Sequence, residues 1–166
     1  ADGESVYTVA GAELFTSARI MAAERRLVAG AGRTDGMVAD RATVDVALIE
    51  ACANGLTLNP GQVALVRQMA ESGARVQLAI APAGSGKTTA MRALGLAWTE
   101  AGGTVLGLAP SAAAAAMLGE QLTAHTDTLA KLTWSLANGQ LPHWAASIGP
   151  KTLVVIDEAG MADTLT

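Results

Sequence analysis

The sequence predicts an α/β fold in which a parallel sheet follows a small helical region. Three short apolar runs, at residues 76–80, 104–109 and 153–156, are typical of buried strands. Stretches with helical periodicity separate these runs, and strands that alternate with helices favour a parallel sheet. The alternation begins only after Gly73, so the first part of the chain is expected to be helical throughout.

The helical region contains three predicted helices. Residues 9–28 and 43–53 have apolar positions close to helical spacing. A third helix is predicted to begin at Asn59-Pro60, because Asn is a good N-cap and Pro is favoured at the first helical position. Gly73 ends that helix.

Further helices are predicted at residues 87–100, 111–121 and 128–137. Residues 138–150 are expected to form a loop, since they contain two prolines and two glycines. Trp98 lies on the first of these helices and is expected in the core. For Trp134 and Trp144, packing in the core or at an interface is favoured over stacking on nucleic-acid bases.

Composition limits the possible classes of protein. The 166 residues correspond to one domain with a small helical appendage, and 51% of them are hydrophobic, which is enough for a core. A net charge of −4 excludes a strongly basic nucleic-acid clamp, although local contacts to DNA remain possible. Cys52 is the single cysteine and is expected to pack within its helix, which suits a reducing, cytoplasmic compartment. No apolar run approaches the roughly 20 residues that span a bilayer.

The most informative segment is residues 81–89, Ala-Pro-Ala-Gly-Ser-Gly-Lys-Thr-Thr. It follows a predicted strand and precedes a predicted helix, and its glycines allow backbone N–H groups to converge on a phosphate at the helix N-terminus. The segment therefore predicts a P-loop that binds ATP. Its contacts to the nucleotide are expected from Ala83, Gly84, Ser85, Gly86, Lys87, Thr88 and Thr89.

Two side chains of this loop have predicted roles in chemistry. Lys87 is expected to contact the β- and γ-phosphates as a catalytic residue, and the Thr88 hydroxyl is expected to hold Mg²⁺. Ala81 stands where the usual pattern has Gly, which is acceptable only if its φ is negative. The alternative is a glycine-rich turn with a chance Lys-Thr pair.

A pair of acidic residues, Asp157 and Glu158, follows the third apolar run directly. A carboxylate at the end of a buried strand can hold the Mg²⁺ shell, and the next one can polarise the attacking water. Asp157 is the predicted metal ligand and Glu158 the predicted catalytic residue. The alternative is that the two acids only cap the next segment.

These motifs resemble those of superfamily 1 helicases of the RecD-like branch. The sequence Asp157-Glu158-Ala159-Gly160-Met161 resembles their motif II, and residues 81–89 resemble motif I. Leu58-Asn59-Pro60-Gly61-Gln62 resembles the upstream element whose Gln recognises adenine. On spacing alone Gln62 would instead complete a capping box with Asn59, but the resemblance favours adenine contact.

Two further segments resemble elements that contact single-stranded DNA in this branch. Residues 106–111 are similar to motif Ia, and residues 128–132 to the element that follows it, with Ala130 in place of the usual His. The resemblance implies DNA contacts from Pro110, Ser111 and Thr128. Plain helix starts are the alternative for Pro110 and Ser111.

The whole arrangement most resembles the helicase portion of TrwC/TraI-type conjugative relaxases of actinobacteria, where Tyr7-Thr8 and Glu24 would belong to a small domain before the motor. The resemblance implies a helical subdomain at 1–57 and, at 58–166, the first part of a RecA-like motor domain with an incomplete sheet. The parent would be an ATP-driven helicase that unwinds DNA 5′ to 3′ in plasmid transfer. It would use Mg²⁺ and single-stranded DNA, with no membrane partner.

The second motor lobe, expected in cis, would supply the arginine that stabilises charge on the phosphate. Without it, these residues are expected to bind ATP or ADP with little turnover and no unwinding. Alternatives are a RecD-like helicase or exonuclease subunit and a non-hydrolysing interaction module. His125 and His143 are assigned no metal role.

Overall fold

The computed structural model describes residues 17–80, 82 and 84–161. Within them the chain is α/β, as predicted. The helices are α1 (Ala18–Ala31), α2 (Arg41–Ala53), α3 (Pro60–Glu71), α4 (Lys87–Glu100), α5 (Ala112–Leu122), α6 (Leu129–Asn138) and α7 (His143–Ala146), with a 3₁₀ turn at Ala159–Met161. The strands are β1 (Thr104–Ala109), β2 (His125–Thr128) and β3 (Thr152–Ile156).

The strands form a parallel sheet in the order β2-β1-β3. β1 is the central strand: its Ala109 pairs with Thr128 of β2, and its Leu108 pairs with Ile156 of β3. Because all three strands run the same way, their carboxyl ends lie along one edge of the sheet. We call this the carboxyl edge.

Side chains alternate between the two faces of the sheet, as strand geometry requires. One face packs against α4 and α5, and its cluster contains Val105, Met91, Leu118, Leu122, Leu153 and Val155. The other face packs against α6 and α7, and its cluster contains Leu106, Leu108, Leu129, Leu132, Trp144 and Val154. The sheet is therefore covered by helices on both sides, which suits parallel strands.

A third apolar cluster joins α2, α3 and α4. Small buried residues of α4 allow the helices to approach closely. The fully buried members of this cluster include Val44, Val66, Ala70, Ala90, Ala93, Leu94 and Ala97. The expected division of the chain at residue 57 stays a prediction, although α2 and α4 share this cluster.

Side-chain caps explain where several helices begin. Asp40 accepts a hydrogen bond from the Thr43 N–H at the start of α2, and Asn59 accepts one from the Gln62 N–H at the start of α3. Asn59 and Pro60 occupy the N-cap and first helical positions, so the predicted start of the third helix is confirmed.

The connection between α1 and α2 is held against the end of α3. The Gly36 N–H donates to the Gly73 carbonyl at 2.8 Å, and the Arg75 N–H donates to the Arg33 carbonyl at 3.0 Å. Asp35 accepts hydrogen bonds from the guanidinium groups of Arg33 and Arg75, which hold the pKa of that carboxyl well below its usual range. These contacts fix the segment that leads towards the predicted phosphate loop.

The prediction of a buried strand at residues 76–80 is wrong. These residues form no strand, and the side chains of Leu78 and Ile80 are 77% and 90% exposed. Strand propensity reflects packing against neighbours more than an intrinsic backbone preference. Among the described residues no strand is paired with this segment, because the sheet contains only β2, β1 and β3.

Further expectations also need correction. The segment 138–150 is not a loop throughout, because His143–Ala146 form α7. Residues 125–128 form β2, a short polar strand that the sequence analysis missed, so the helix predicted at 128–137 begins at Leu129. Cys52 is exposed, so it does not pack in the core as expected. Trp134 is 58% exposed, which excludes the core, and its packing at an interface stays a prediction. Trp98 is buried, as predicted.

Residues 9–16 of the first predicted helix, and Tyr7-Thr8, lie outside the described residues.

None of the helices described here is long and apolar enough to cross a membrane.

Gly107 provides a test of the packing of α5 on the sheet. A Cβ at this position would lie 2.6 Å from Cγ2 of Thr126 and 2.9 Å from Cδ2 of Leu118. We expect Gly107→Ala to lower the free energy of unfolding by about 1–3 kcal/mol, as overpacking does, measured by urea denaturation. Gly32→Ala is the matched control, because a Cβ there makes only ordinary contacts. Equal stability of the two variants would contradict this packing.

Candidate functional site

The predicted phosphate loop bends through two glycines in the left-handed region. Gly84 has φ of +74° and Gly86 has φ of +77°, and α4 begins immediately afterwards at Lys87. The Ser85 N–H donates to the Pro82 carbonyl at 3.3 Å. Left-handed residues in such a turn direct successive N–H groups into one concavity that suits an anion. Ala81 and Ala83 lie outside the described residues, so the φ of Ala81 is not tested.

Lys87 belongs to the loop as well as to the helix. Its ammonium donates to the Pro82 carbonyl at 3.0 Å, so the charged group lies back over the loop. This places a positive charge beside the glycine turn, where the helix N-terminus also favours negative charge.

Gln62 makes the capping box that its spacing predicts. Its Oε1 accepts from the Asn59 N–H at 2.8 Å, while its own N–H donates to Oδ1 of Asn59 at 2.9 Å. The same side chain also reaches the loop: Nε2 donates to the carbonyls of Ser85 and Gly86 at 3.2 and 3.0 Å. Gln62 therefore connects the start of α3 to the start of α4.

The acidic pair lies at the end of β3. The Asp157 N–H donates to the Leu108 carbonyl at 3.0 Å, which continues the ladder between β1 and β3 by one residue. Oδ1 of Asp157 then accepts from the Glu158 N–H at 2.9 Å. Glu158 has φ of +51°, a left-handed conformation that costs a non-glycine residue about 1–2 kcal/mol. Such strain is concentrated at functional sites.

The loop and the acidic pair meet in one cleft of about 880 Å³. Lys87 and Thr88 line it together with Asp157 and Glu158, while residues 77–80 and β3 contribute to its walls. The structure thus brings together the side chains that the sequence assigned to phosphate and metal. Gln62 lies behind the loop and does not line the cleft.

The chemistry of this set suits Mg²⁺. The Thr88 hydroxyl and the Asp157 carboxylate are hard oxygen donors, and Mg²⁺ is usually bound by one or two carboxylates together with phosphates of the substrate. Across residues 17–80, 82 and 84–161 no group of three or more His, Cys, Asp or Glu side chains could hold a metal ion. A metal at this cleft would therefore depend on the nucleotide for part of its shell.

The residues predicted to contact DNA lie on the carboxyl edge. Pro110 and Ser111 follow β1, and Thr128 ends β2. The hydroxyls of Ser111 and Thr128 cap α5 and α6, accepting from the N–H groups of Ala114 and Lys131. Both helices thus begin at this edge. Ser111 caps α5, and its contact with DNA stays a prediction.

A polar and aromatic group that was not predicted from the sequence lies beside β2 and the start of α6. Lys131 pairs with Asp127, and its Nζ lies 5.9 Å from the ring centre of Trp144. The rings of Trp144 and His125 are 5.3 Å apart. Burial raises the pKa of Asp127, but the hydrogen bonds from Lys131 and the Thr128 N–H outweigh it and lower the pKa overall. The sequence indicated this ion pair only through the spacing of Asp127 and Lys131, which are four residues apart at the start of a helix.

A family model described as "AAA domain" matches residues 57–166, well over half of the chain. The chain belongs to this AAA family. The matched region contains both the glycine loop and the acidic pair, and it supports a nucleotide-binding P-loop of the helicase-like type. Comparison with curated proteins and with solved structures gave no match.

The left-handed backbone at Glu158 can be tested by glycine substitution. We expect Glu158→Gly to leave the free energy of unfolding unchanged or to raise it by up to about 1 kcal/mol, because glycine adopts positive φ without strain. Glu120→Gly, in the exposed face of α5, is the matched control and should lower it by about 0.5–1 kcal/mol. Thermal or urea unfolding checks both. Equal losses of unfolding free energy in the two variants would contradict the strained conformation.

Proposed function

We propose that this AAA-family chain binds Mg-ATP in the cleft between the start of α4 and the end of β3. The observation that carries the proposal is that Lys87, Thr88, Asp157 and Glu158, which come from segments about 70 residues apart in sequence, all line that cleft. The glycine turn behind Lys87 adds N–H groups and a helix N-terminus, both of which favour phosphate.

Each residue has a proposed role. Lys87 binds the β- and γ-phosphates, and the backbone of residues 83–89 binds the phosphate oxygens. Thr88 and Asp157 hold Mg²⁺, which when bound neutralises charge on the phosphates. Glu158 orients and polarises the attacking water. Gln62 contacts adenine, which requires a change in the hydrogen bonds that it makes here.

We propose further that the chain is the first part of the helicase motor of a conjugative relaxase, acting in the cytoplasm. The pattern of motifs supports this proposal. The AAA match agrees with a helicase-like P-loop that binds nucleotide. In this proposal Pro110, Ser111 and Thr128 contact single-stranded DNA at the carboxyl edge, and a second lobe in cis supplies the arginine for turnover. The gene sequence upstream tests it: a nicking domain with a histidine triad supports a relaxase, and its absence favours another RecD-like helicase.

Substitution of the loop lysine tests nucleotide binding directly. We expect the chain to bind Mg-ATP, and we expect Lys87→Ala to weaken that binding at least about tenfold, since a hydrogen bond to a charged group is worth roughly 1.5–3 kcal/mol. Isothermal titration calorimetry measures both affinities.

Lys151→Ala is the matched control. Lys151 is an exposed lysine just before β3, and its structural contacts are made through its carbonyl, which the substitution retains. We expect it to bind Mg-ATP with unchanged affinity. Equal binding by Lys87→Ala and Lys151→Ala, or no binding of Mg-ATP by the unaltered chain, would contradict the proposed site.

A further inference from the structure

The side-chain amide of Gln62 contacts the phosphate loop through Nε2. Nε2 has two hydrogens, and it donates to the two successive carbonyls of Ser85 and Gly86. Oε1 is held by the backbone N–H of Asn59. The orientation of the amide is therefore set by a backbone group at the start of α3, and the amide in turn holds two peptide groups of the loop.

Holding these carbonyls also sets the direction of the N–H groups that follow them. In a trans peptide the C=O and the next N–H lie in one plane and point in opposite directions. The Ser85 carbonyl shares its peptide with the Gly86 N–H, and the Gly86 carbonyl shares its peptide with the Lys87 N–H. Because both carbonyls point to Gln62, both N–H groups point away from it.

The Gly86 carbonyl is held from a second direction as well. It accepts the first hydrogen bond of α4, from the Ala90 N–H at 3.1 Å. A Cβ on Gly86 would overlap Nε2 of Gln62, so the amide fills the space that the glycine leaves open. The absence of a side chain at this position therefore serves the contact with Gln62 in addition to the positive φ.

We propose that Gln62 is a positioning residue for the phosphate loop, which fixes the direction of the Gly86 and Lys87 N–H groups independently of any contact with a base. The inference rests on the proposed function and names a second task for Gln62 in the same site. A consequence is competition: an adenine that accepts a hydrogen bond from Nε2 of Gln62 competes with the two loop carbonyls for that donor.

A ligand without a base separates the two tasks. We would measure the affinities of Mg-tripolyphosphate and of Mg-ATP by calorimetry for the unaltered chain and for Gln62→Met, which has similar size but no donors. We expect Gln62→Met to lower the affinity for both ligands by about the same factor, roughly tenfold, as the loss of oriented donors to an anion does.

Asn59→Ala is the matched control for the stability of α3. It removes the cap to the Gln62 N–H but keeps the Asn59 backbone N–H that holds the Gln62 side chain. We expect it to lower the melting temperature about as much as Gln62→Met, while the affinity for tripolyphosphate stays within twofold. If Gln62→Met does not fold, Gln62→Glu keeps the capping acceptor without the donors, and a salt titration separates the effect of its added charge.

Each outcome decides the matter. A loss of affinity for Mg-ATP with unchanged affinity for tripolyphosphate would overturn the inference and leave Gln62 as a base contact. Equal losses of affinity for tripolyphosphate in Gln62→Met and Asn59→Ala would overturn it in favour of a helix cap alone. Failure of the unaltered chain to bind either ligand would overturn the proposed function itself, and this inference with it.

Discussion

The geometry of the site depends on how α4 is held between the helical layer and the sheet. One side of α4 is buried against α2 and α3, and another contacts the face of the sheet. At its end, Nε1 of Trp98 donates to the Lys151 carbonyl at 2.9 Å, and Lys151 directly precedes β3. The last turn of α4 is thereby fixed beside the first residue of β3.

This contact explains why the loop and the acidic pair meet. From Lys87 to Trp98, α4 rises about 16 Å at 1.5 Å per residue. The path from Lys151 to Asp157 along β3 covers about 20 Å at roughly 3.3 Å per residue. A helix and a strand of similar length, joined at one end and covered by the same apolar cluster, bring their other ends together. Lys87 and Asp157 therefore line one cleft.

Local sequence signals predicted much of this arrangement. The cap at Asn59, the strands β1 and β3 and the start of α4 at Lys87 all follow from patterns within a few residues. The two strand errors have a common cause, since each depends on partners distant in the chain. Residues 76–80 have strand composition but are paired with no described strand, and the polar run that forms β2 is a strand because it pairs with β1.

Gln62 shows the same limit of local sequence signals within the site. Its spacing from Asn59 predicts a capping box, and the resemblance to helicases predicts a base contact. Neither indicates that the amide also holds the carbonyls of Ser85 and Gly86, which lie 23 and 24 residues further along the chain. The local role is confirmed, and the base contact stays a prediction. The contact with the loop required the structure, because only tertiary packing brings α3 beside α4.

The central claim is that nucleotide binds at the junction of α4 and β3, and backbone amide shifts test it most directly. In a titration of the ¹⁵N-labelled chain with Mg-ATP, followed by NMR, we expect the largest changes at the N–H groups of Gly86, Lys87 and Thr88, together with that of Glu158. Changes centred on another charged group at the cleft, around Asp35 and Arg75, with no shift of the loop amides, would contradict it.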